Sequence, residues 1–259
     1  MSNSIMPVLF IGHGSPMNIV NHNAYTQSLQ RLGAALPKPE AILVVSAHWL
    51  TERTFVCSAN KPEQIYDFYG FPEKLYAVKY HPSGAPKIAQ FILDELKAEK
   101  ILSDSNWGID HASWAVLVHM YPNADIPVLE ISLDVTKTDQ EHFALAQKLT
   151  FLRLQNVLII GSGNIVHNLH RMDYNEDAEP YPWAVEFDKY IKDALLQKDI
   201  DRLLHYKELS PVGKIAVPTN DHYLPMLYSA ALLKEGEQVV FFHESIQNAS
   251  ISMRCFIVQ

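Results

Sequence analysis

The chain reads as a single α/β domain over residues 1–259, with a central, mostly parallel sheet flanked by helices, on three observations. Apolar runs of strand length alternate with longer stretches of helical period. Polar motifs containing Gly and His follow the ends of those runs, and no repeat or low-complexity linker interrupts the chain. Such alternation builds parallel strands joined by crossover helices, and 259 residues suffice to bury the core that a sheet covered on both faces needs.

Taken in order, strands are expected at 8–11, 42–46, 127–132, 157–160, 239–242 and 251–258, each rich in Val, Ile, Leu or Phe. A helix predicted over 85–96 gathers Ile88, Ala89, Ile92, Leu93 and Leu96 on one face; another over 139–152 gathers Phe143, Ala146, Leu149 and Leu152. Segments 182–196 and 199–209 read as a helix pair, and 173–182 as a surface loop. A last helix over 222–233 follows Asp221, a good N-cap residue, and stops before Gly236, which puts His222 in its first turn.

Composition narrows the function. A net charge of −8 with no basic stripe argues against nucleic acid and favours small-molecule chemistry. Cys57 and Cys255 stand far apart in strand-like runs, so they read as buried thiols of a reducing compartment. The opening Met1-Ser2-Asn3-Ser4 has no basic segment, and the run 8–11 is too short for a signal peptide or membrane span. A cytoplasmic protein without a membrane partner is expected, its oligomeric state open.

Ligands of open α/β sheets bind beyond the carboxyl ends of the strands. Four polar motifs fall there: Gly12-His13-Gly14-Ser15-Pro16, Ser46-Ala47-His48-Trp49, the glycine-rich turn Gly161-Ser162-Gly163-Asn164 leading to His167, and Asp221-His222. If the strand ends converge, His13, His48 and His222 make a metal site. His13 and His48 would reach one ion from neighbouring parallel strands. Each alone has a plainer reading, as a loop histidine bonded to backbone or a satisfied core histidine, and the spacing is no compact zinc signature. His167 suits a proton carrier, because its turn lacks the Lys-Ser/Thr pair of a phosphate loop. His111 sits at an expected helix N-terminus capped by Asp110, with Trp107 and Trp114 nearby as candidate walls of an aromatic pocket. The run from Ile65 to Pro72 reads as a hydrophobic plug. A serine hydrolase is disfavoured, because Gly161-Ser162-Gly163 only partly echoes the Gly-x-Ser-x-Gly elbow.

These motifs, with Ile65-Tyr66-Asp67-Phe68-Tyr69-Gly70-Phe71-Pro72, Gly108-Ile109-Asp110-His111-Ala112-Ser113-Trp114 and Pro218-Thr219-Asn220-Asp221-His222-Tyr223-Leu224-Pro225, run in order over nearly the whole chain. The sequence resembles the class III extradiol ring-cleavage dioxygenase superfamily, within it the single-domain DOPA 4,5-dioxygenase group. The resemblance implies a non-haem metal at His13 and His48, with His167 as acid/base or further ligand; His111, within a matching motif, is the second catalytic candidate. His222 stands where distant catechol-cleaving relatives use a glutamate, and Glu244 is the reserve carboxylate. Ser15, Trp49, Asp110 and Tyr223, all within the motifs, are the candidate substrate contacts. The implied cofactor is Fe(II) for ring cleavage, with Zn(II) suiting the all-histidine set in purified protein. The implied substrates are O2 and a catechol, whose opening gives a muconic semialdehyde (4,5-seco-DOPA from DOPA). The competing reading is a zinc protein that hydrolyses, or only binds, an aromatic ligand.

Overall fold

A computed structural model describes residues 5–259; the opening Met1-Ser2-Asn3-Ser4 lies outside the described residues. Its strands are β1 (Val8–Gly12), β2 (Ala41–Thr51), β3 (Phe55–Cys57), β4 (Leu102–Asp104), β5 (Val128–Asp134), β6 (Val157–Gly163), β7 (Val239–His243), β8 (Ile246–Gln247), β9 (Ile251–Ser252) and β10 (Cys255–Val258). Eight of them form one sheet in the order β4-β3-β5-β2-β6-β1-β10-β7, and β8 pairs with β9 as a separate ribbon. The central β5, β2, β6 and β1 are mutually parallel, whereas β10 and β7 add an antiparallel edge. The expected α/β class with a mostly parallel sheet is what the chain adopts.

Side chains alternate across the central strands, so each strand feeds two cores. Val8, Phe10, Leu43, Val45, Leu129 and Ile159 face the helices Pro86–Glu95, Asp139–Lys148, Pro182–Gln197 and Leu224–Ala231. Leu9, Ile11, Ile42, Val44, Leu158 and Ile160 face Ala24–Ala35 and His111–Met120. The helix over 139–152 ends early, at Lys148, and a short helix Phe151–Leu154 follows. Segment 199–209 splits in two, at His205.

Four departures bear on the site. β2 runs to Thr51, so His48 and Trp49 belong to the strand and point to opposite faces. Gly161-Ser162-Gly163 is not a turn but the end of β6. β6 also lies between β1 and β2, so the strand that leads into His13 and the strand that carries His48 are not neighbours. Finally, the last helix begins at Leu224, which leaves His222 in the turn before it. Asp221 does not cap that helix but bonds His222.

Candidate active site

The carboxyl ends of β1, β2 and β6 build the site with the turn before Leu224–Ala231. Two glycines let them meet. A Cβ at Gly161 would lie 2.1 Å from the Pro225 carbonyl oxygen, and one at Gly163 would lie 2.2 Å from that of His222, so neither position admits a side chain. The 222–225 segment therefore crosses bare backbone. There the Asn164 amide donates to the His222 carbonyl (2.8 Å), while the His13 amide donates to the Gly163 carbonyl (3.1 Å). His13 and His222 are thus both fixed to β6 by backbone.

Ring nitrogens of His13, His48 and His222 come within 4.8 Å of one another. In each ring the other nitrogen is engaged. His13 Nδ1 lies 3.1 Å from Ser162 Oγ, whose own proton goes to the Ala112 carbonyl (2.6 Å), so His13 must donate through Nδ1. His222 Nδ1 bonds the Asp221 carboxylate, and His48 Nδ1 lies 3.1 Å from Asp67 Oδ2. A carboxylate draws the ring proton to the nitrogen beside it, which leaves Nε2 lone pairs facing inward. His13 Nε2 and His48 Nε2 are 3.4 Å apart. Facing lone pairs at that distance repel unless a cation, a proton or a metal ion, lies between them. A set of three imidazole donors, two buried and His48 half-buried, fits a divalent metal ion.

Two more histidines border this group. The His167 ring stacks on His222 with centroids 3.5 Å apart, and His111 packs 4.1 Å from the His48 ring while its Nδ1 bonds Asp67 Oδ2 at 2.8 Å. Burial first, then the neighbouring imidazoles, holds His13 and His167 well below the usual histidine range. Burial likewise lowers His111 to about 4, against the pull of Asp67, and lowers His222 against the pull of Asp221. His48 moves the other way. Burial is its largest influence and pulls downward, but the bond to Asp67 and the charges of Asp110, Asp67 and Asp221 together raise it. Four of the five imidazoles are therefore neutral near pH 7 and able to accept a proton or a metal.

Three of the four expected substrate contacts are built into the scaffold instead. Tyr223 is fully buried, donating to the Leu203 carbonyl (2.9 Å) and packing on Tyr206 across the sheet's other core. Trp49 is 2% exposed and stacks flat on Trp107. Asp110 is wholly buried; it caps the helix His111–Met120 as expected and accepts from Ser46 Oγ (2.5 Å). Only Ser15 is partly open, its Oγ capping the short helix Pro16–Ile19. Glu244, the reserve carboxylate, is held by Lys192 (2.7 Å) and Arg254. A carboxylate committed to two cations has no charge to spare for a metal.

Sequence reasoning missed Asp67, Ser162 and the orienting role of Asp221. A signal for Asp67 existed: it is the one charged residue in the aromatic run 65–72, and a lone carboxylate among aromatics needs a partner.

Against known proteins, residues 7–253 match the model of the catalytic LigB subunit of aromatic ring-opening dioxygenase. The chain is 42% identical over 257 residues to a 4,5-DOPA dioxygenase extradiol of Escherichia coli K12, covering 98% of this chain and 94% of that protein. It is 34% identical to a protein of the same name from Beta vulgaris, covering 93% and 92%. The crystal structure of an uncharacterized Escherichia coli K12 protein superposes with a TM-score of 0.87 at 38% identity, covering 98% of this chain and all of the other. Matches this long, on a sheet whose strand ends gather five histidines, make the chain a member of the LigB family of aromatic ring-opening dioxygenases.

Proposed function

We propose that the protein is an extradiol dioxygenase that adds both atoms of O2 to a catechol, at a divalent metal held by His13, His48 and His222. The inward convergence of three Nε2 lone pairs, each ring backed by a hydrogen-bond partner on Nδ1, carries this reading. Donor type alone suits zinc as well as iron, and we assign Fe(II) to turnover and Zn(II) to protein purified in air. When bound, ferrous iron supplies a path for electrons from the catechol ring to O2 that spin rules otherwise make slow.

The protein's own residues manage protons and position. His167, kept neutral by burial, takes a proton from a catechol hydroxyl and returns it as the ring opens. His111 donates through Nδ1 to Asp67, which leaves its Nε2 free to accept from the substrate. Phe68 stands edge-on to His111 with centroids 5.5 Å apart, giving the site an aromatic wall. The carbon–carbon bond beside the diol opens, one end becoming an aldehyde and the other a carboxylate. The names of the relatives support DOPA, or a related catechol acid, as substrate and 4,5-seco-DOPA as the corresponding product.

The test is anaerobic reconstitution with Fe(II), followed by DOPA or catechol and then O2. The expected result is a yellow product absorbing in the near-visible with one O2 consumed per ring. Protein inert with iron but hydrolytic with zinc would overturn the proposal.

A further inference from the structure

One oxygen of Asp67 meets two histidines of different duty. Oδ2 lies 2.8 Å from His111 Nδ1 and 3.1 Å from His48 Nδ1, and the two rings pack with centroids 4.1 Å apart. The Asp67 side chain is about a fifth exposed and belongs to neither strand nor helix. The segment that delivers it is anchored independently: Trp114 Nε1 donates to the Ile65 carbonyl (2.8 Å), the Ile65 amide donates to the Ile109 carbonyl (2.8 Å), and Phe68 is buried against Trp114. The backbone of His111 donates to the other oxygen, Oδ1, at 2.9 Å. Both carboxylate oxygens are thus spent on the two histidines, and the chain around them does not need Asp67 for its own packing.

We infer that Asp67 is a positioning residue that ties the proposed ligand His48 to the proposed catalytic His111 by fixing the proton of both rings on Nδ1. The inference rests on the dioxygenase reading for the duty of each histidine. The physical reason is that a carboxylate only accepts, so both rings must donate to it and both must turn Nε2 away from it. An amide in its place accepts at one atom and donates at the other. With its oxygen in the Oδ2 place it would still take both ring protons and set its NH2 against the His111 backbone N–H, so only a side chain with no acceptor releases both rings.

Two measurements test this. In metal-free protein labelled with 15N-histidine at pH 8, with signals assigned through His48→Gln and His111→Gln, both Nδ1 atoms should be protonated in the native chain. In Asp67→Ala, which leaves neither ring its acceptor, at least one ring should move its proton to Nε2; unchanged protonation of both rings in that variant would overturn the inference. In iron-loaded protein acting on catechol, Asp67→Ala should lower kcat by roughly 10²-fold, the lower end of acid/base effects, while KM moves less than about threefold. Asp67→Glu, which keeps a carboxylate, should regain about a tenfold share of that loss. Undiminished kcat in Asp67→Ala at full iron content, or a glutamate variant no faster than the alanine one, also counts against Asp67. A native chain that is inert with iron and catechol would instead sink the dioxygenase reading, and the proton positions would still decide the inference.

Discussion

The two halves of the histidine cluster are held by different means. On the β1/β6 side, backbone does the holding: His13 and His222 hang from the amide and carbonyl groups at the end of β6, at a crossing that only glycine admits. On the β2 side, a strand residue, His48, and a helix-start residue, His111, are joined by the single carboxylate of Asp67. The first arrangement tolerates no added atom at the crossing, and its one carboxylate, Asp221, serves a single ring. The second is partly open at Asp67, yet both of its rings depend on that one carboxylate. Steric change should therefore damage the first half and chemical change the second.

The largest effect is expected from Gly163→Ala. Its new methyl would meet the His222 carbonyl oxygen, a backbone atom that cannot swing aside, so the fold should lose about 3 kcal/mol and His222 should leave the cluster. Urea unfolding and metal content measure both; a variant of native stability and full metal content would show that the crossing is looser than its geometry.

Next come the proposed ligands. His13→Ala, His48→Ala and His222→Ala should fold yet retain little metal by elemental analysis, while Glu244→Ala keeps a full complement, its partners being Lys192 and Arg254. Full occupancy in any of the three histidine variants removes that residue from the ligand set.

His167→Ala probes the boundary between the halves. Turnover should fall roughly 10²–10⁴-fold with metal and catechol affinity kept, as befits a proton carrier. If the substrate-free variant loses metal, His167 is a ligand, and undiminished turnover leaves it neither role.

Acid should reveal the cluster's charge balance. His13, His111, His167 and His222 are all lowered in the folded protein, so below the unfolded histidine value of about 6.5 the unfolded chain binds more protons and stability falls with falling pH. For His111 that window closes near 4. His48, raised, opposes this with stability that is full below the unfolded value and lost as pH rises through its folded one. Asp110 and Glu130, both raised by burial, the second to about 7, also oppose that fall. With four lowered histidines against these three groups, the metal-free protein should melt at progressively lower temperature from pH 7 to pH 5. A melting temperature that climbs on acidification would mean that the carboxylates around His48 dominate.

The smallest effect is assigned to Tyr223→Phe. It removes one buried hydroxyl bond to the Leu203 carbonyl, worth about 1 kcal/mol, and should leave the KM for catechol unchanged. A KM raised severalfold would return Tyr223 to the substrate.

The residue order alone determined the α/β class, most element positions and the motifs in which His13, His48, His111, His167 and His222 stand. Those features are local: apolar period reports how one segment is buried, and a polar motif after an apolar run marks a strand end wherever the strand lies. Only the tertiary structure decided that β6 enters between β1 and β2, that its glycines are a crossing rather than a turn, and which carboxylate serves which imidazole. Asp67 stands 19 residues from His48 and 44 from His111 in the chain, and Glu244, nominated by position, was claimed by Arg254. Periodicity says that a side chain is buried but not what lies opposite it. Strand order and ion pairing join residues far apart in sequence, so they are fixed only when the layers pack.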